Sequence, residues 1–274
     1  TKGNSLIKDL TMIKSGLPYL NKYRKKVGIN TCVRKAHFLA QISQESKFYD
    51  LEEGFNYYWE ALISTFSAFT TIDGRKNAKK WGRAIKDRNA KEYKAVTKAN
   101  EENIVNWAYK DKNSNKNFAS GDGSKYRGRG FKQITWKSNY KSLSEYFNSN
   151  MKIDNEASVD WVTNYKDLTY KSKDAMVSAL AYWAKNNINS VANENNAISV
   201  EKVTKKINSA LKGLTERKQF FKNAVKILKV NDCLKGSEID IEKGTVIIVS
   251  GTDTKKEKDP AQSIYWVMYK TSVY

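Results

Sequence analysis

Residues 36–57 read AHFLAQISQESKFYDLEEGFNY, and this stretch decides how the chain is understood. The spacing predicts a helix from Val33 to Phe48. Phe38, Ile42 and Glu45 fall at i, i+4 and i+7, so Glu45 borders an apolar face. His37, Gln41 and Glu45 form a second stripe at spacing four, with side chains placed to touch. A carboxyl between apolar packing and such a stripe is expected to titrate above its ordinary range, as a general acid must. Glu52 and Glu53 follow in a turn that Gly54 ends, placed to face Glu45 across a cleft. Two carboxyls in unlike environments are the minimum equipment for hydrolysing a glycosidic bond. By themselves these residues also read as an exposed helix-end charge and a solvated turn, so the rest of the chain must decide.

The 274 residues, 40% hydrophobic, are enough to bury one good core and a small second unit. No apolar run reaches membrane-spanning length, and the first residues carry no basic-then-apolar signal pattern. The chain opens on Thr1 rather than Met, as expected of a processed product or a fragment. Cys32 and Cys233, far apart in sequence, could pair but are too few for a disulfide framework, and two unpaired thiols are the expectation. With His37 the one histidine, no cluster has metal-ligand spacing; no metal and no cofactor are expected. A Cys–His nucleophile pair is a weak alternative. The net charge of +20 favours a polyanionic partner such as nucleic acid, an anionic membrane or an acidic cell wall. The basic residues are mostly lysine and spread along the whole chain, which suits general attraction better than base reading. A bias toward Lys and Asn in the coding sequence explains the same numbers.

Read in order, residues 5–26 look helical, with Ile7, Leu10, Ile13 and Leu17 on one side and a break or kink at Pro18. Tyr57–Phe69 reads as a helix with Tyr58, Leu62 and Phe66 at spacing four. Arg75–Lys98 carries ten basic and two acidic residues around Trp81 and Tyr93. A solvated helical face with both aromatics turned inward is the expectation there; single-stranded nucleic acid is the rival. Glu101–Lys110 is a short helix and Asp111–Ser124 a loop. Further helices are expected at Asn139–Phe147, Asp174–Lys185, Val200–Leu211 and Thr215–Val230. Asn208 lies beside the Val203, Ile207, Leu211 stripe, where a buried amide needs partners and is a hub or a ligand contact. Thr245–Val249 and Ile264–Tyr269 are strand-like and suggest a β-hairpin appendage.

The second informative stretch is residues 121–140, GDGSKYRGRGFKQITWKSNY. Gly128 and Gly130 permit close backbone approach. Gln133, Thr135 and Lys137 are expected to alternate with Phe131, Ile134 and Trp136 in an extended segment that turns polar groups to a groove. A phosphate loop is a poor reading, because no Gly-Lys-Ser/Thr follows.

Together these stretches resemble glycoside hydrolase family 19, the lysozyme-like chitinases and related phage and bacterial cell-wall hydrolases. The similarity runs from about Leu6 to Leu228. It is carried by AHFLAQISQES, LEEGFNY, ASGDGSKYRGRGFKQITWKSNY, SALAYWAKNNIN and VTKKINSALKGLTERKQFF, in that order. The resemblance implies a mainly α, lysozyme-like bilobal domain over residues 1–230, with 231–274 as a C-terminal β-rich extension. It implies Glu45 as general acid and Glu53 as general base, with Glu52 the alternative because the spacing between the two motifs is one residue shorter. It implies Thr135 as the hydroxyl that helps hold the attacking water. Tyr126, Gln133, Asn139 and Asn208 are implied as substrate contacts, and Arg217 as a supporting arginine. The family inverts anomeric configuration, which requires carboxyls roughly 6.5 Å or more apart.

Departures lie at Gln44, where the family usually has His, at Lys47 in place of paired glycines, and at Ser209 and Ala210 in place of glycines. They bear on groove shape. The expected activity is inverting endo-hydrolysis of β-1,4-linked amino sugars, with peptidoglycan first and chitin second. The site of action is then the cell wall, reached by secretion or by phage or effector delivery. The expected partners are that polysaccharide, anionic wall polymers, and an immunity or carrier protein; no specific nucleic acid is expected. A glycan-binding module without catalysis and a nucleic-acid binder using Arg75–Lys98 are the rival classes.

Overall fold

The structure, a computed structural model, describes residues 11–84 and 98–233 and the backbone of two strands. It is mainly helical, as expected. The helices are α1 (Thr11–Arg24), α2 (Cys32–Ser46), α3 (Trp59–Thr65), α4 (Ile72–Trp81), α5 (Glu101–Ala108) and α6 (Asp122–Lys125). They continue with α7 (Lys137–Tyr146), α8 (Asp167–Tyr170), α9 (Ser172–Lys185), α10 (Ala197–Ile207), α11 (Leu214–Ile227) and α12 (Val230–Cys233). Strands β1 (Thr245–Val249) and β2 (Trp266–Lys270) pair antiparallel, Ile247 opposite Met268, which gives the expected hairpin.

The main core forms around α9, whose Ala175, Met176, Val177, Leu180 and Trp183 are all buried. Against it pack α1 through Ile13 and Leu20, α2 through Phe38 and Ile42, and α7 through Tyr140 and Leu143. Helix α1 runs through Pro18 without the expected break. The ring removes one backbone donor but leaves the helix intact, because α1 is held along its length against α9.

The other apolar side of α2, with Val33, Ala36 and Ala40, meets Phe220, Phe221 and Ala224 of α11. Cys32 at the start of α2 is disulfide-bonded, which corrects the expectation of two unpaired thiols. Two cysteines far apart in sequence carry no local pattern that reveals such a bond.

A separate core joins α3, α4 and α5 through Phe55, Leu62, Phe69, Ala78, Trp81, Ile104 and Val105. The helix expected over Tyr57–Phe69 stops at Thr65, because Phe66 is extended (φ −121°, ψ 120°) and a 3-10 turn follows. Trp81 is inward as expected, stacked on Phe118 at 5.4 Å. Tyr93 and residues 85–97 of the basic stretch lie outside the described residues.

Leu51 belongs to the main core and Phe55 to the second one. The Glu52–Glu53 segment therefore crosses the seam between two packed bodies. Burying Phe55 alone is worth roughly 1.5–3 kcal/mol, enough to fix where that crossing lies.

Candidate active site

Glu45 stands in the last turn of α2 because the helix is capped at both ends. Thr31 Oγ1 accepts from the Arg34 N–H at one end, and the Lys47 N–H returns to the Ser43 carbonyl at the other. Lys47 and Phe48 then both adopt the left-handed region, with φ of 50° and 65°. This is the physical sense of the paired glycines expected at this turn, since L-residues occupy it only at a cost. Here buried Phe48 anchors the reversal instead.

Past the turn the chain pairs briefly with the second motif. The Gly130 N–H donates to the Leu51 carbonyl, and the Glu53 N–H to the Gly128 carbonyl at 2.9 Å. Glu52 bridges Arg129 in antiparallel fashion. Successive side chains of an extended segment point to opposite sides, so Glu52 and Glu53 part company. Glu52 goes to Arg129 Nε at 3.1 Å, Arg127 Nη1 at 3.4 Å and Thr169 Oγ1 at 3.2 Å. Glu53 accepts from the Gly128 N–H at 3.0 Å and from Tyr109 Oη at 2.8 Å. Tyr109 packs in turn against Trp136, ring centres 4.5 Å apart.

The two remaining carboxyls have opposite electrostatics. Burial pushes the Glu53 carboxyl up, and its hydrogen bonds from Gly128 and Tyr109 recover only part of this, so it titrates above the ordinary range. Burial also acts upward on Glu45, but the Lys132 and Arg217 charges outweigh it and hold the carboxyl below its ordinary range. Lys132 Nζ lies 2.9 Å from Glu45 Oε2, and Arg217 holds Oε1. This corrects the expectation of a raised Glu45. The sequence stripe at spacing four is present, but Gln41 reaches Glu45 through Arg217, which it also binds.

His37 serves the scaffold. Its ring stacks on Phe221 at 4.1 Å, and Nε2 faces the Glu194 carbonyl and Ser199 Oγ. Ser199 donates its own proton to the Val191 carbonyl, so Nε2 carries the hydrogen and Nδ1 is bare. Burial lowers its pKa to about 4, against the upward pull of the Glu194 carbonyl. A buried neutral imidazole and a disulfide-bonded Cys32 leave no Cys–His pair among the described residues.

The motif at 128–136 is a tight turn, not the expected extended segment. Gln133 and Trp136 have φ of 55° and 82°, and Ile134 pairs back to Arg129. Gln133 Nε2 donates to the Asp50 and Gly130 carbonyls, clamping this turn to the α2 exit. Thr135 Oγ1 donates to the Gln133 carbonyl, and exposed Asn139 donates to the Thr135 carbonyl at 2.8 Å. Tyr126 is 4% exposed and packs on Tyr140 and Tyr165 in the core, so it offers no face to a ligand; this corrects its place among the contacts. Asn208 is half-buried at the end of α10 and accepts from the Ala210 N–H at 3.2 Å. It is a turn cap, not a buried hub, because the helix ends at Ile207 and Leu211 turns left-handed. Gln44, at the usual His position, faces Gly213, where a Cβ would come within 2.5 Å of its amide.

Sequence reasoning missed Lys132, Tyr109 and Trp136. Lys132 had a signal: a lone cation between Phe131 and Ile134 beside two glycines. Tyr109 had none, since only the packing of α5 brings it to Glu53.

No family model matches the chain. The chain is 32% identical over 199 residues to a glycosyl hydrolase family 19 domain-containing protein of Haemophilus influenzae, covering 72% of this chain and 82% of that one. Chitinase C from Streptomyces griseus HUT6037 superposes with a TM-score of 0.42 at 14% identity, over 80% of this chain and 81% of that one. A mutant of chitinase C gives 0.43 at 14%, over 82% and 72%. These two overlays are too loose to argue from. The curated relative is close enough to decide the matter: this chain belongs to glycosyl hydrolase family 19.

Proposed function

We propose that the protein is an inverting endo-glycosidase that cuts β-1,4 bonds of an amino-sugar polymer, with bacterial peptidoglycan as that polymer. One observation supports this above the rest. A single turn touches both carboxyls, taking Glu53 on the Gly128 N–H and Glu45 on the Lys132 ammonium. Glu45 and Glu53 are thus fixed to one rigid element, each with its own set of partners.

In this reading Glu45 protonates the glycosidic oxygen and Glu53 takes a proton from the attacking water, which Thr135 helps to hold. Arg217 occupies Oε1 of Glu45, so Oε2 is the oxygen that faces the sugar. Gln133, Asn139 and Asn208 border the groove. In the unliganded protein the proton favours Glu53 over Glu45. Catalysis therefore requires the cationic hold on Oε2 to loosen as the glycan enters. Glu52 is tied to two arginines and is a support, not the base. A net charge of +20 favours an anionic wall over neutral chitin of the same linkage. Residues 231–274 are an appendage to this domain.

Mass spectrometry of fragments released from purified walls and from chitin, by wild type and by Glu45→Gln, tests the proposal. Wild type should release disaccharide-repeat fragments from walls, and the variant none. Equal release by the variant, or none by wild type from either polymer, would overturn it.

A further inference from the structure

Two buried cations share one carboxylate at Glu45. Arg217 is 2% exposed and Lys132 8%. The other partners of Arg217 are neutral, the Gln41 amide oxygen and the Lys212 carbonyl. The other neighbour of the Lys132 ammonium is the face of Tyr182, 4.6 Å from the ring centre. The groups that meet at Glu45 come from the 128–135 turn, from α11, from α9 and from α2 itself. Among the described residues their charges sum to one positive in excess. An uncompensated buried charge is unfavourable unless a ligand supplies the opposite one.

The two cations are not equally free to leave. Arg217 is planar, permanently charged and fixed by three partners. Lys132 ends a flexible stem, and its backbone stays anchored by Phe131 and Ile134, which are 0% and 3% exposed. Its ammonium can turn while the loop that holds Glu53 stays in place.

We propose that Lys132 reads an acidic group on the substrate: its ammonium pairs with a carboxylate carried by the glycan beside the scissile bond. Leaving Glu45 for that carboxylate frees Oε2 to take a proton from solvent, which then passes to the glycosidic oxygen as the bond breaks. The substrate class is an amino-sugar strand whose lactyl ether carboxyls are free of stem peptide, in preference to a neutral or amide-capped one. This rests on the glycosidase reading above.

Three soluble substrates of equal length test it: glycan strands freed of stem peptides, the same strands with the lactyl carboxyls converted to methylamides, and chitin oligosaccharides. Wild type should cleave the free acid with a kcat/KM about tenfold or more above the other two. Lys132→Met should bring that ratio close to one, raising activity on the neutral strands relative to the acid, and Lys132→Arg should keep part of the preference. A Lys132→Met ratio equal to that of wild type would overturn the proposal. So would a wild-type ratio near one, which needs no variant to fold. Wild type cleaving none of the three would instead overturn the glycosidase reading itself.

Discussion

The Gly128 N–H donates to Glu53 Oε2 at 3.0 Å because Gly128 has no side chain. A Cβ there would come within 2.9 Å of Gln133 Oε1 and 3.3 Å of Glu53 Oε2. Gly128→Ala should therefore displace Glu53 while the helical cores stay folded. Misplacing a reacting group by about 1 Å costs on the order of a hundredfold in rate. Steady-state kinetics on soluble glycan, beside a thermal melt, checks that activity falls far more than stability.

Glu52 and Glu53 are neighbours in sequence and part to different partners, Glu52 to Arg127 and Arg129, Glu53 to Gly128 and Tyr109. Glu52→Gln should weaken the hold on Arg127 and Arg129 and lower stability by about 1–3 kcal/mol, while the folded fraction keeps working. Glu53→Gln should reduce kcat by roughly a hundredfold or more at full folding. Denaturant unfolding and wall-clearing rates, taken together on both variants, separate the two outcomes.

The raised Glu53 carboxyl has a consequence for stability. The folded protein binds this proton more tightly than the unfolded chain does. Its contribution is complete below the unfolded carboxyl pKa of about 4.3 and is lost as pH rises through the folded value. Glu53→Gln should accordingly melt higher than wild type at pH 7, and the gain should vanish near pH 4. Each kcal/mol recovered corresponds to about 2–4 °C for a chain of this size.

His37 works in the other direction. It is neutral when folded down to about pH 4, whereas in the unfolded chain it gains its proton near 6.5. Its contribution is present above pH 6.5 and is lost as pH falls toward 4, on the order of 3 kcal/mol. His37→Phe should flatten the stability profile between those values, even if it is less stable at pH 7 through the lost Glu194 contact. Urea midpoints at half-unit pH steps will show it.

The helix bearing Glu45 and the late helices were legible because 3.6-residue spacing, a local rule, governs them, whereas the Glu52–Glu53 segment, expected as a turn, is extended because it pairs with Gly128 and Arg129 far along the chain. The C-terminal hairpin followed from its β-branched runs. The fine structure of the site was less legible. The 128–136 segment alternates polar and apolar residues like a strand, yet Gln133 clamps its turn to the Asp50 carbonyl, 83 residues away, a bond that no window of sequence contains. The charge state of Glu45 depends on Lys132, 87 residues away, and Arg217, 172 away. Periodicity placed the carboxyl correctly and left its partners unseen. Tyr126 sat inside the most specific motif, yet its ring is core packing, which a motif match does not distinguish from a groove contact.

The central claim is a single displacement driven by Glu45 and Glu53 together. It is tested most directly by proton NMR of the anomeric signals during the first turnovers on a soluble glycan, for wild type and for Glu53→Gln. The account predicts that wild type releases the α-anomer first, relaxing later to the equilibrium mixture, and that Glu53→Gln releases almost nothing. Initial release of the β-anomer, or the same burst from Glu53→Gln, would contradict it.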